Sequence, residues 1–107
     1  MANLLGKAQF VWVRLTYVKV DPANGDEVRD LYNSDEISGV IRQQKGHRFH
    51  HLLESVDAPG ETISLTAFDS QEDAEAYEQS GTYKELVDKV RNYLTAPPEL
   101  RTYEVRE

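Results

Sequence analysis

The stretch from Gln9 to Val20 is dense in β-branched and aromatic residues, which suits a strand and weakens a helix. Read with a period of two, Val11, Val13, Leu15 and Tyr17 point one way. Phe10, Trp12, Arg14, Thr16 and Val18 point the other. Neither side is uniformly polar. A sheet built on this strand therefore has one face for helices and another that marks an interface.

Asp21-Pro22-Ala23-Asn24-Gly25 ends the strand with turn chemistry. Val28, Leu31 and Tyr32 then recur at helical spacing, and Ser34 reads as an internal N-cap before Asp35 and Glu36. Gly39 weakens the segment, so two short helices or one bent helix are expected over Asp26 to Gln44. His47 to Ser55 and Glu61 to Phe68 read as a hairpin joined by Val56-Asp57-Ala58-Pro59-Gly60. Asp69 or Ser70 caps the next helix, Ser80-Gly81 interrupts it, and Thr82 with Glu85 offers a second capping box. Tyr83, Leu86, Val87, Val90 and Leu94 form one amphipathic stripe. Pro97-Pro98 stops it, and Arg101 to Arg106 alternates as a last strand. Two β-α-β halves thus follow one another. The expected fold is α+β and ferredoxin-like, a split β-α-β-β-α-β with an antiparallel sheet and helices on one face.

At 107 residues the chain fits one domain, with residues 1–8 as a flexible N-terminal lead. A net charge of −7, with no Lys/Arg cluster, argues against nucleic acid and anionic membrane surfaces. The absence of cysteine excludes disulfides, thiolate catalysis and Cys-ligated metals. With no apolar stretch of membrane-spanning length and no signal-like start, the expected location is cytoplasmic.

The segment Phe68-Asp69-Ser70-Gln71-Glu72-Asp73-Ala74-Glu75-Ala76-Tyr77-Glu78-Gln79-Ser80-Gly81-Thr82-Tyr83 resembles the signature of the antibiotic biosynthesis monooxygenase family. Gln44-Lys45-Gly46-His47-Arg48 and Pro97-Pro98 sit where that family has its pre-strand glycine and terminal proline, and the likeness runs from about Phe10 to Val105. The resemblance implies a dimeric α/β barrel, with a ligand cavity between each protomer's sheet and helices. Some members oxygenate polyphenols or quinols with O₂ and without metal or flavin; others degrade haem. The haem-degrading relatives carry Trp where this chain has Tyr77, and their axial His where it has Val87, which cannot ligate iron. The family's strand-ending aromatic is often Trp; here it is Phe68.

His47, His50 and His51 are the only histidines. On a regular strand His50 and His51 point to opposite faces, while His47 and His51 share one but lie roughly 13 Å apart at ~3.3 Å per residue. No metal site is expected from them. His51, beside Phe49 and Leu53, is the candidate catalytic base, against a packing or interface role. Tyr32, Tyr77, Tyr83 and Phe68 are candidate substrate-binding residues; the bland reading of each is core packing. Trp12 and Arg14 are candidates for the dimer interface. Two functions follow from these readings. The first is a cofactor-free monooxygenase acting on a small phenolic or quinol-like substrate. The second is a non-catalytic homodimer that binds a small molecule or serves assembly.

Overall fold

The computed structural model describes residues 11–106, so the expected lead over 1–8 and the residues Gln9 and Phe10 lie outside it. Along the chain come β1 (Trp12–Lys19), α1 (Gly25–Tyr32), α2 (Val40–Arg42), β2 (His47–Glu54), β3 (Glu61–Phe68), α3 (Gln71–Gln79), α4 (Thr82–Val90) and β4 (Glu99–Glu104). The sheet order is β2-β3-β1-β4 with every neighbouring pair antiparallel, which is the expected ferredoxin-like arrangement. The last strand starts two residues before the alternation predicted, at Glu99.

The bent helical segment resolves into α1, a π-helical turn at Asp35–Gly39 and the short α2. Ser34 caps that turn by accepting from the Glu36 N–H at 3.3 Å. Ser70 caps α3 in the same way, its hydroxyl oxygen accepting from Asp73 N–H at 3.1 Å. The second capping box does not form. Gly81, at φ 90°, takes the N-cap position of α4, and its carbonyl accepts from Glu85 N–H at 3.0 Å. Thr82 is therefore already inside the helix. The left-handed backbone at this break between α3 and α4 is one that glycine adopts without steric cost.

Trp12, Arg14, Thr16 and Val18 of β1 face the helices together with Thr62, Ser64, Thr66 and Phe68 of β3, a grouping fixed by the strand register. Between them and the helices lies a core of Tyr32, Ile37, Ile41, Phe68, Ala74, Tyr77 and Leu86. The opposite face carries Val13, Leu15 and Tyr17 of β1, in register with Ala67, Leu65 and Ile63 of β3. Phe49, His51 and Leu53 flank them on β2, and Tyr103, Arg101 and Glu99 on β4. Among the described residues no helix covers this second face, and Phe49, Leu53 and Tyr103 are exposed on it. Among the described residues no helix is long and apolar enough to cross a membrane.

Candidate functional site

The sheet and helices do not meet evenly. Thr16, Val18, Leu52, Thr62 and Ser64 form the floor of a cavity of about 60 Å³, roofed by α1, the π-helical turn, α2, α3 and α4. Tyr32, Tyr77 and Tyr83 contribute from three of those helices, and Val87 and Leu94 close one side. Its lining holds no acid, base or amide side chain; phenols and small hydroxyls are its polar groups. Val28, Leu52 and Thr62 also line an adjoining opening of about 150 Å³, where Asp26, Arg29 and Glu54 appear. The cleft thus has an apolar interior and a charged mouth.

Arg29 on α1 spans that mouth, donating through Nε and Nη2 to the two Glu54 oxygens of β2 at 2.7 and 2.9 Å. The bidentate contact holds the Glu54 carboxyl below its ordinary range. It also fixes α1, and so Val28 and Tyr32, over the sheet.

The three tyrosines are not equivalent. The Tyr83 hydroxyl accepts from Thr16 Oγ1 at 3.1 Å, and the Tyr32 hydroxyl is 3.0 Å from Ser64 Oγ. Both are tied to the sheet floor. The Tyr77 hydroxyl has no hydrogen-bond partner among the described residues, although its ring is buried. Burial pushes the Tyr77 phenol well above its usual range, so it stays protonated and remains a donor. Burial also raises Tyr32 and Tyr83, partly offset by their hydroxyl contacts. The rings of Tyr77 and Tyr83 meet edge-on, 5.9 Å between centroids.

Phe68 is elsewhere. Its side chain is 0% exposed, packs on Tyr77 at 5.5 Å between centroids and does not line the cavity. Trp12 and Arg14 lie on the helix-covered face, not on the open one. Trp12 packs against the core, and Arg14 donates from Nη1 to the Ala74 carbonyl at 3.3 Å and from Nη2 to Glu78.

The histidines depart from the regular-strand expectation because β2 is bulged. His47 and Phe49 oppose the adjacent residues Phe68 and Ala67, so the strand gains one residue and the alternation flips between them. His47 and His50 consequently share the helix side, and His51 falls opposite Leu65 on the open face. There its ring is exposed and lies 5.6 Å from that of Phe49. Only the His51 carbonyl reaches towards the cleft, accepting from the Tyr32 hydroxyl at 3.4 Å. His50 takes the inner position. Its Nε2 is 3.0 Å from Ser38 Oγ, its Nδ1 is 2.9 Å from His47 Nε2, and its ring meets Tyr32 edge-on.

The tautomers of this chain follow from one acceptor. Ser38 donates its proton to the Tyr32 carbonyl at 2.6 Å, so it accepts from His50 Nε2–H. His50 Nδ1 is then the acceptor for His47 Nε2–H. A proton added to His50 would oppose that N–H. Desolvation, with the neighbouring charges of His47 and Arg42, lowers the His50 pKa, and desolvation with Arg42 lowers that of His47. The unfolded chain takes up these protons near 6.5, while the folded chain resists them. Stability is therefore fully present above pH 6.5 and declines as pH falls through and below that value. The urea midpoint is expected to be lower at pH 5.5 than at 7.5, with the difference reduced in the His50→Gln variant. An equal midpoint at both pH values would contradict the arrangement.

Neither the bulge nor the hydroxyl pairings, Tyr83 with Thr16 and Tyr32 with Ser64, had a signal in the sequence. Among the described residues no three His, Cys, Asp or Glu side chains gather as a metal site.

Solved structures share this architecture. A monooxygenase from the gene ActVA-Orf6 of Streptomyces coelicolor, in complex with the ligand nanaomycin D, superposes with a TM-score of 0.77 at 18% identity, covering 90% of this chain and 88% of its own. The Rv0793 protein of Mycobacterium tuberculosis gives 0.70 at 21% identity, over 91% and 96% of the two chains. A conserved protein of Methanosarcina mazei gives 0.74 at 14%, over 91% and 94%. At such identities these likenesses speak for the fold. No curated protein matches the sequence significantly. The sequence itself decides the family: residues 12–89, from the first residue of β1 to the last turn of α4, match the family model for antibiotic biosynthesis monooxygenases, and the chain belongs to that family.

Proposed function

We propose that this protein is a monooxygenase that oxidises a small phenolic or quinol-like substrate with O₂, without metal or flavin, in the cleft between sheet and helices. The observation that carries this reading is the Tyr77 hydroxyl, which borders the apolar cleft and has no hydrogen-bond partner among the described residues. Such a hydroxyl keeps its proton free to donate to a ligand oxygen placed against it. The Streptomyces structure, which holds nanaomycin D, supports a ligand of aromatic type. The electron balance needs no added reductant: a hydroquinone and O₂ yield a hydroxyquinone and water. The chain's part is to hold the ring, exclude water and orient the reacting oxygen.

The cavity of about 60 Å³ is smaller than the ~150 Å³ that accommodates benzene. Ring entry therefore requires the roof to move, and for α1 that means releasing the Arg29–Glu54 pair and the contact of the Tyr32 hydroxyl with Ser64. The same small volume favours a second reading, a non-catalytic dimer in which the cleft is a minor packing defect. O₂ uptake by the pure protein over a panel of quinols separates the two. A rate above buffer for at least one quinol is expected, falling about tenfold in Tyr77→Phe through loss of one buried hydrogen bond. No rate above buffer across the panel would leave the non-catalytic reading.

The protein also pairs with a second copy of itself, through the open sheet face and not through Trp12 and Arg14. Val13, Leu15, Ile63 and Leu65 form the centre of that face, rimmed by Phe49, Leu53, Tyr17 and Tyr103. A contiguous apolar sheet face of this kind marks an interface, and a twofold homodimer is the commonest solution.

A further inference from the structure

Arg14 is the only buried Lys or Arg among the described residues, with 5% of its surface exposed. A guanidinium removed from water needs compensation at each of its donors and for its charge. Arg14 has less than that. Its Nη atoms reach the Ala74 carbonyl and Glu78, but its Nε–H is buried with no acceptor. Its one carboxylate partner, Glu78, is 49% exposed, so water screens that charge. On the sheet its neighbours Trp12, Thr16, Thr66 and Thr102 are uncharged. Glu104, opposite Trp12 on β4, is occupied by Arg106 at 2.9 Å. A net positive field is left on the inner side.

That side is the tyrosine end of the cleft. Thr16, two residues along the same strand face and so about 7 Å away, lies on the cavity floor and holds Tyr83. Tyr77 stands one residue before Glu78 on α3. The phenols of Tyr77 and Tyr83 both feel the Arg14 charge, which works against the burial that raises them.

We propose that Arg14 is a positioning residue that makes the cleft select the anionic form of its ligand, a phenolate or enolate, with Glu78 attenuating the field from outside. This rests on the reading of the cleft as a phenol site and adds the charge state of the ligand. Arg14 does not line the cavity, so it acts through space. The ligand's proton remains in the buffer.

The test uses 4-nitrophenol, whose phenolate absorbs visible light, bound to the full chain and titrated with acid and base. Bound to the wild-type protein, the probe ionises at lower pH than when free. Glu78→Gln keeps the hydrogen bond to Arg14 and removes the negative charge, so the ionisation constant of the bound probe rises about two- to fivefold. Arg14→Met moves it the other way by about tenfold, and Arg14→Lys restores most of the difference. A merely structural role for the pair would not move the two variants in opposite directions. Should Arg14→Met fail to fold, Glu78→Gln decides alone. A bound probe whose ionisation is unchanged in Glu78→Gln overturns the inference and leaves the cleft reading standing. A probe that does not bind the wild-type chain overturns both.

Discussion

Leu65→Glu is expected to convert a dimer of twice 12.2 kDa into a folded monomer of 12.2 kDa. Leu65 sits in the middle row of the open face, between His51 on one side and Leu15 and Arg101 on the other. It takes no part in the core between sheet and helices, so the change leaves the protomer's packing alone. At a twofold interface the substitution acts twice, placing two carboxylates in a surface that excludes water. Each would be buried without a partner, since the one cation of that row, Arg101, is already bonded to Glu99 at 2.6 Å. A penalty of several kcal/mol per dimer weakens association at least about a thousandfold. Light scattering at micromolar concentration reads the mass, and far-UV circular dichroism confirms that the monomer is folded. If the wild-type chain already scatters as 12.2 kDa, the paired-sheet reading is wrong and the open face serves something else.

The same face shows which parts of the structure were legible in advance. Strand alternation located β1 and β3 closely, and polar residues ahead of apolar stripes located the caps of the π-helical turn and α3. Those signals are local, arising from residues within a few positions of one another. The orientation of the sheet was not local. Both faces of β1 carry large apolar residues, and the decision rests on Arg14 meeting Ala74 and Glu78, 60 and 64 residues away. An arginine beside a tryptophan reads as an exposed interface pair until a distant helix is seen to bury it. The histidines failed for a different reason. One bulge between His47 and Phe49 shifts the phase of β2, so counting by twos from His47 puts each later side chain on the wrong side. The candidate tyrosines fared better because helical spacing placed them all on the inner face, where a cleft between sheet and helices had to lie. Which hydroxyl stays free depends on Thr16 and Ser64, again remote in sequence.

Phe68→Ala and Tyr77→Phe separate the scaffold of this cleft from its ligand contact. Phe68 is fully buried at the end of β3, and its ring supports that of Tyr77 from the side away from the cavity. Truncation to alanine removes a whole ring from a packed site whose other walls belong to sheet and helix and cannot collapse freely. The expected loss is about 3–5 kcal/mol, the usual range for Phe→Ala in a core. Against a total of about 5–15 kcal/mol for a domain, that leaves the fold marginal, and urea unfolding would show a midpoint shifted far down. Tyr77→Phe removes one oxygen that has no hydrogen-bond partner among the described residues, so the fold loses no contact seen there. Its urea midpoint should stay within about 0.5 kcal/mol of the wild type, while affinity for a phenolic probe falls about tenfold. The pair therefore makes opposite demands on the two measurements. A Tyr77→Phe protein that is markedly destabilised would mean the hydroxyl has a structural partner. A Phe68→Ala protein as stable as the wild type would mean that the aromatic end of β3 is not packed as the structure shows.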